Sequence, residues 1–217
     1  MLEKLNVALR MKTLAIEFST KQREVAIAED DEVLTTVTTD NLETGPITLI
    51  DNALQNSGLN REEIEIIALG IGPGSYNGIR SAIAVAQGWQ LAREIKLCAI
   101  SSVEVLAKTA RQNGHRGLSH FIIDAQRHQY YHCTWNLTDT HQTETKPLSI
   151  IEACDAAQLN AHGPDADGLS SCQSLYPKAG ILAQLASTQR EFQRGSSIEP
   201  IYLRQTNFVK APPPRKL

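Results

Sequence analysis

Three short stretches of this chain carry residue types that could hold an anion. In Gly70-Ile71-Gly72-Pro73-Gly74-Ser75-Tyr76-Asn77-Gly78-Ile79-Arg80-Ser81 an apolar run turns on glycines and a proline and enters a helical pattern. Gly72, Pro73 and Gly74 suit a turn that residues with side chains resist. Ser75 is placed to cap the helix, its hydroxyl accepting an orphan N–H of the first turn. Such a strand-to-helix turn aims backbone N–H groups and the positive helix end at one spot, which suits phosphate or carboxylate. Ser19 and Thr20 follow a first strand pattern ending in Glu17-Phe18, and Asp124 ends a later one. The candidate anion- or nucleotide-binding set is therefore Ser19, Thr20, Gly72, Gly74, Ser75 and Asp124. The same residues also fit tight, wet turns with no ligand.

Other chemistries fail on spacing. The glycine turn matches neither G-x-x-x-x-G-K-[ST] nor G-x-G-x-x-G. Ser75 lacks the G-x-S-x-G flanks of a hydrolase nucleophile. His128 and His132 form an H-x-x-x-H pair, but on a strand four residues separate them by about 13 Å. Two ligands of one zinc, with bonds of about 2 Å, cannot be so far apart. His115 and His120 read as isolated. Asp124, Asp155, Asp165 and Asp167 are not spaced as a calcium loop, so no metal site is expected. Arg80 could clamp an anion or pair with a partner, although a solvated arginine is the default.

The elements that must position these groups follow from periodicity. Lys12–Phe18, Glu24–Ala28 and Val33–Thr38 read as strands, and Ile64–Ile71 as a strand covered on both faces. Pro46 opens a helix that Gly58 ends. Its stripe is Ile47, Leu49, Ile50, Ala53 and Leu54. The helix from Ile79 to Leu91 has a very small face, with Ser81, Ala82, Ala84, Ala86 and Gly88, which another helix could approach closely. A strand at Leu97–Ile100 precedes a helix capped by Ser101 or Ser102 that stops near Gly114. After Gly114-His115-Arg116-Gly117 the pattern restarts. Phe121–Asp124 and Gln129–Leu137 read as strands, the second half-buried, and Glu144–Ile150, interrupted by Pro147, as an edge. Ile151–Ala161 suggests a short helix, His162–Ser171 a loop, Pro177–Phe192 an amphipathic helix and Ile201–Arg204 a last strand. The two halves look like a weak duplication in which the second has too few elements for a full copy. A cleft between them is a natural ligand site.

Composition excludes several classes. The 217 residues are 41% hydrophobic and 21% charged, as in ordinary soluble proteins. A net charge of −3 and a pI near 6.1 argue against a free-standing nucleic-acid binder. Aromatic content of 5% leaves few stacking platforms. Cys98, Cys133, Cys154 and Cys172 form no C-x-x-C pair, and without a secretory signal they read as reduced thiols. No membrane span is expected, and Met1–Arg10 lacks the marks of a signal peptide. The stretch from Lys210 to Lys216 (KAPPPRK) reads as a polyproline-like or disordered tail.

Several segments together resemble the TsaB (YeaZ) family. They are Leu14-Ala15-Ile16-Glu17-Phe18-Ser19-Thr20, Gly72-Pro73-Gly74-Ser75-Tyr76-Asn77-Gly78-Ile79-Arg80 and Ala86-Gln87-Gly88. Ala99-Ile100-Ser101-Ser102, Asp124-Ala125-Gln126-Arg127 with Tyr130 and Tyr131, and Pro200-Ile201-Tyr202-Leu203-Arg204 complete the set. The likeness weakens between Asn136 and Ser197. It implies an α/β fold of the ASKHA (actin, Hsp70 and sugar-kinase) type, with two subdomains and a reduced C-terminal half. The corresponding divisions are an N-terminal extension 1–11, a first subdomain 12–113, a reduced second subdomain 118–208 and a Pro-rich basic tail 209–217.

The resemblance also implies a cytoplasmic accessory subunit with no catalysis and no cofactor of its own. It would scaffold a TsaD-like transferase in forming threonylcarbamoyladenosine beside the anticodon of tRNA. A TsaE-like ATPase and tRNA would be met only within the complex, and a homodimer would form when the chain is alone. The implied partner surface is Ile47, Ile50, Leu54, Arg80, Ser81, Ala84, Gln87 and Gly88. Two departures favour a scaffold. Glu17 stands where the family commonly has Asp and would crowd a metal-phosphate site, and Asn41–Pro46 lacks the family's histidines. The alternative is an ATPase or phosphotransferase acting on its own, with ATP or ADP and magnesium between the Ser19, Gly72 and Asp124 turns.

Overall fold

The unbroken apolar runs at Leu14–Phe18 and Ile66–Leu69 lie side by side at the centre of a sheet, buried on both faces. The computed structural model describes residues 10–164, 169–189 and 191–203. Strands β1 (Lys12–Glu17), β2 (Arg23–Glu29) and β3 (Glu32–Thr39) form an antiparallel meander. β4 (Ile66–Gly70) and β5 (Lys96–Ile100) add parallel to β1, giving the order β3-β2-β1-β4-β5. Alternation sorts the side chains by size. Leu14, Ile16, Val25, Ile27, Ile67 and Leu69 point to one face, against α1 (Pro46–Ser57) and α2 (Tyr76–Ala92). Ala15, Ala26, Ala28 and Ala68 point to the other, where α5 (Ala179–Ala186) packs.

The second sheet repeats the strand plan of the first. β6 (Gly117–Asp124), β7 (Gln129–Leu137) and β8 (Gln142–Glu152) form a meander. β9 (Ala161–Gly163) and β10 (Cys172–Ser174) add in parallel, giving β8-β7-β6-β9-β10. All five strands are present, so the duplication is fuller than the sequence suggests, and it is the helices that shrink. α4 (Ala153–Ala156) has four residues where α1 has twelve. α3 (Ser102–Gln112) lies between the sheets, sending Val105 toward the first and Val103, Leu106, Ala107 and Ala110 toward the second. This is a layered α/β plan built on two sheets of like topology.

Several expectations are corrected. The helix over Ile151–Ala161 is only α4, because β8 continues to Glu152 in register with Gln129, and Ala161 already belongs to β9. His162 and Gly163 are therefore strand, not loop; a Cβ on Gly163 would lie 1.9 Å from the Ile122 carbonyl oxygen, an approach that only glycine allows. β7 is buried on both faces at its middle, not half-buried, since His132 and Thr134 are each 4% exposed. The Pro177–Phe192 helix shortens to α5, and its described continuation is a strap. Ile201–Leu203 joins no sheet among the described residues. Arg204, Asp165, Asp167, the tail from 209 and the first nine residues lie outside the described residues.

The strap and α5 tie the late part of the chain to the first sheet, although both lie within 118–208. Gln193 N–H donates to the Leu97 carbonyl at 2.9 Å, and Ile201 N–H to that of Ile71 at 2.9 Å. Gly195 sits between Gln87 and Gln90, whose amides bond its carbonyl and N–H at 2.8 and 2.7 Å. At α5 the first-turn N–H of Ala179 donates 2.7 Å to Glu24 Oε1 of β2, while Glu24 Oε2 accepts from Thr38 and Lys178. A carboxylate from another element thus caps the helix. Glu24→Ala is expected to lower unfolding stability by about 2–3 kcal/mol in urea titrations, whereas Lys178→Ala, which removes only a half-exposed partner, costs about 1 kcal/mol or less.

Candidate functional site

A cleft of about 580 Å³ opens between the sheets. One wall is Ser19, Thr20 and Lys21 beyond β1; the floor is Gly74–Asn77 at the start of α2; the far wall is the β6–β7 hairpin with Asp124–Arg127. Ser75 caps α2, its Oγ accepting from Gly78 N at 3.3 Å, and Ser75 N–H donates to the Ser19 carbonyl at 2.6 Å. Five of the six expected ligand residues, Ser19, Thr20, Gly74, Ser75 and Asp124, line this cleft. Gly72 does not. It is buried beneath, with φ at +88° and Ser102 Oγ accepting from its N–H at 3.1 Å.

The hairpin tip is held in an uncommon conformation. Gln126, Arg127 and His128 all have left-handed backbones, with φ of 63°, 58° and 61°. Such angles cost non-glycine residues about 1–2 kcal/mol each. The tip is fastened by Asp124, whose Oδ1 and Oδ2 accept from Gln126 N and Nε2 at 2.7 and 2.8 Å. At the mouth, Tyr76 stacks on Tyr202 with centroids 5.4 Å apart, and Arg80 lies over Tyr76.

Glu17 does not crowd the cleft, contrary to expectation. It turns into the wall, 0% exposed, where Oε1 accepts from Ser19 N–H at 2.9 Å and both oxygens meet Ser102 Oγ at 3.0 and 3.2 Å. Gly70 leaves the space, since a Cβ there would lie 2.0 Å from Glu17 Oε2. Burial raises the Glu17 pKa above the usual carboxylate range, against the lowering effect of the Ser19 and Ser102 hydrogen bonds. Ser101, not Ser102, caps α3, accepting from Val103 N.

A second concavity, about 710 Å³, lies between α1 and α2. Ile47, Ile50, Ala84, Val85, Gly88 and Trp89 line it, with the Asp51–Arg61 ion pair and Arg93 at one end. Of the expected partner surface, Ile47, Ala84 and Gly88 are exposed here, while Ile50 lies at the base, 1% exposed and part of the core. Leu54 is buried in the core at 6% exposure. Ser81 bonds its own helix at the Gly78 carbonyl, and Arg80 belongs to the cleft mouth. Gln87 is on the opposite flank, holding Gly195. A Cβ on Gly88 would meet nothing within 4 Å, so no packing within the described chain calls for glycine there.

His115 and His120 are not isolated. The β6–β7 register pairs His120 with Thr134 and Ile122 with His132, so His120 and His132 are diagonal neighbours on one face, Nδ1 to Nε2 3.0 Å. The His115 and His162 rings meet at a tilt of 57°, centroids 4.3 Å apart. Folding the hairpin about Asp124 and Gln129 on paper would have found the first pair. Among the described residues no group of three or more His, Cys, Asp or Glu is placed to hold a metal.

Glu17 supplies a test. A carboxyl whose folded pKa is raised binds more protons in the folded state, so its contribution favours folding most below its ordinary value of 4.5 and is lost as pH climbs through the raised one. Glu17→Gln is expected to gain stability relative to the natural chain as pH rises from 4.5 to about 8, by denaturant titration.

A family model described as TsaD: tRNA N6-adenosine threonylcarbamoyltransferase matches residues 36–187. The protein named "tRNA threonylcarbamoyladenosine biosynthesis protein TsaB" from Escherichia coli (strain K12) is 31% identical over 112 residues, 48% of this chain and 46% of that protein. Its counterpart of the same name from Bacillus subtilis (strain 168) is 29% identical over 124 residues, 56% and 53% of the two chains. The chain thus spans about half the length of these curated relatives. YeaZ from Pseudomonas aeruginosa has the same fold, with a TM-score of 0.76 at 20% identity over 89% of this chain and 100% of that one. The family model covers more than half of the sequence, and the chain belongs to the TsaB/YeaZ group of TsaD-like proteins.

Proposed function

We propose that this chain is a non-catalytic partner subunit for forming threonylcarbamoyladenosine in tRNA, docking a TsaD-like transferase on the α1–α2 groove. The observation that carries this reading is the exposed, side-chain-poor ridge of α2. Ala84 and Gly88 are open to solvent beside Ile47, which is 50% exposed, and a helix can seat closely there. The relatives' names supply the pathway. The inward turn of Glu17 supports an accessory role, because its oxygens are engaged by Ser19 and Ser102. A TsaE-like ATPase and the tRNA join through the complex, in the cytoplasm, and without its paralogue the chain pairs with itself through the same ridge.

A second reading has its own observation. Ser19, Thr20, Gly74, Ser75 and Asp124 converge on one cleft at a helix N-terminus, which suits ATP or ADP with magnesium. Micromolar binding with turnover by the isolated chain, in calorimetry and phosphate release, would favour that enzyme over the scaffold.

The docking reading is tested by co-purification with the TsaD-like protein of the same organism. Ala84→Arg is expected to weaken association by about 100-fold or more with an unchanged melting profile. Wild-type affinity in the variant would overturn the assignment.

A further inference from the structure

All six histidines fall between His115 and His162, and none stands in the first sheet or its helices α1 and α2. Four of them pair off, and the pair at the centre of the second sheet is unusually constrained. His120 Nδ1 and His132 Nε2 face each other at 3.0 Å, the rings stacked at 5.3 Å and 18°. His132 is 4% exposed, and its other nitrogen, Nδ1, is buried with no hydrogen-bond partner among the described residues.

The proton count follows. In one neutral arrangement His132 carries its hydrogen on Nε2, donates to His120 Nδ1, and leaves Nδ1 a bare lone pair. Every other arrangement that keeps this bond puts a hydrogen on His132 Nδ1. If the added proton goes to His132, it lands there directly. If it goes to His120, then His120 Nδ1 becomes the donor, Nε2 of His132 must accept, and the hydrogen of His132 moves to Nδ1. A buried N–H without an acceptor loses its hydration, a loss that is larger on a cationic ring, and orphaned N–H groups are rarer in folded proteins than idle acceptors. The surroundings offer no relief. β8 presents Ser149 opposite His132 and Lys146 opposite Thr134, and the lysine is a cation. Thr134 Oγ1 lies 3.4 Å from His120 Nδ1. β9 presents uncharged Ala161 beside His120, and Asp155 on α4 sits beside Cys154. Burial, His120 and Lys146 all hold His132 below its ordinary value.

From this geometry we infer that the His120–His132 contact is an acid-sensitive lock on the second sheet, holding the left-handed hairpin that walls the cleft. The hairpin tip ends at His128, four residues before His132 and directly ahead of β7, and the β6–β7 ladder keeps Gln126, Arg127 and His128 in their costly conformation. Protonation either strands a hydrogen on buried His132 Nδ1 or breaks the His120–His132 bond at the middle of the ladder, and the tip relaxes. A group with a lowered folded pKa gives its full contribution above its ordinary value of 6.5 and loses it as pH falls below that. The first sheet, with no histidine, stays closed. The inference concerns the cleft wall and stands or falls apart from partner docking.

Hydrogen exchange on the full chain at about pH 7.5 and about pH 5.5, corrected for intrinsic rates, tests it. Amides of 117–152 are expected to exchange at least about tenfold faster in acid, and those of 12–100 to change by less than about threefold. Nitrogen NMR of the imidazoles at neutral pH is expected to find His132 protonated at Nε2 and bare at Nδ1. His132→Phe, which keeps a ring and removes both nitrogens, is expected to show no acid-induced loosening. A proton on Nδ1 at neutral pH, equal acid response in both sheets, or none in either would overturn the lock. Should the variant fail to fold, the natural chain's exchange and NMR decide alone.

Discussion

The first turn of α2 rests on the end of β1 with no room for a side chain between them. A Cβ on Gly78 would stand 2.0 Å from the Phe18 carbonyl oxygen, and one on Gly74 2.1 Å from that of Ser19. The Ser75 N–H closes the contact on Ser19. This approach fixes where α2 begins and how it leans on the sheet. Its N-terminus therefore forms the cleft floor, while its small ridge, further along, is presented beside α1. The two concavities are opposite consequences of one seating.

The duplicated strand plan explains why the halves differ in use. Both carry the meander and two parallel strands, but α1 and α2 cover the first sheet alone, while the second shares α3 with it. In the second, the connections after β8 and β9 are too brief to cover a face with a long helix, so polar residues such as His132 and Thr134 are enclosed by the sheet's own neighbours. Burying polar atoms this way demands partners; His132 Nε2 finds one across strands in His120, while its Nδ1 finds none among the described residues. The first half leaves the α1–α2 concavity open; the second half is stiffened by internal hydrogen bonds and lends the cleft its hairpin.

Much of this was legible from local chemistry. β-branched runs marked β1 and β4, Ser75 and Pro46 marked helix starts, and the spacing of Ala84 and Gly88 marked the ridge. What escaped depends on contacts between distant residues. The Ile151–Ala161 stretch has helical spacing, but pairing to Gln129 and Tyr130 draws its start into β8. Glu17 looked like a cleft residue because it ends a strand; its direction is decided by the space over Gly70 and by Ser102, 85 residues away. Gln87 looked like ridge surface until the strap brought Gly195 to it. The histidine pairs needed the hairpin register, which periodicity does not supply.

The capping of α5 by Glu24 bears on how the polypeptide emerges from the ribosome. Ala15, Ala26, Ala28 and Ala68 form a face that α5 covers, yet α5 is made more than a hundred residues after them. The nascent N-terminal strands must therefore wait with that face uncovered until synthesis passes residue 186, a period when premature association is the hazard. Its small alanines expose little oily area during the wait, and Glu24 keeps a charge among them that discourages unwanted sticking until the late helix arrives.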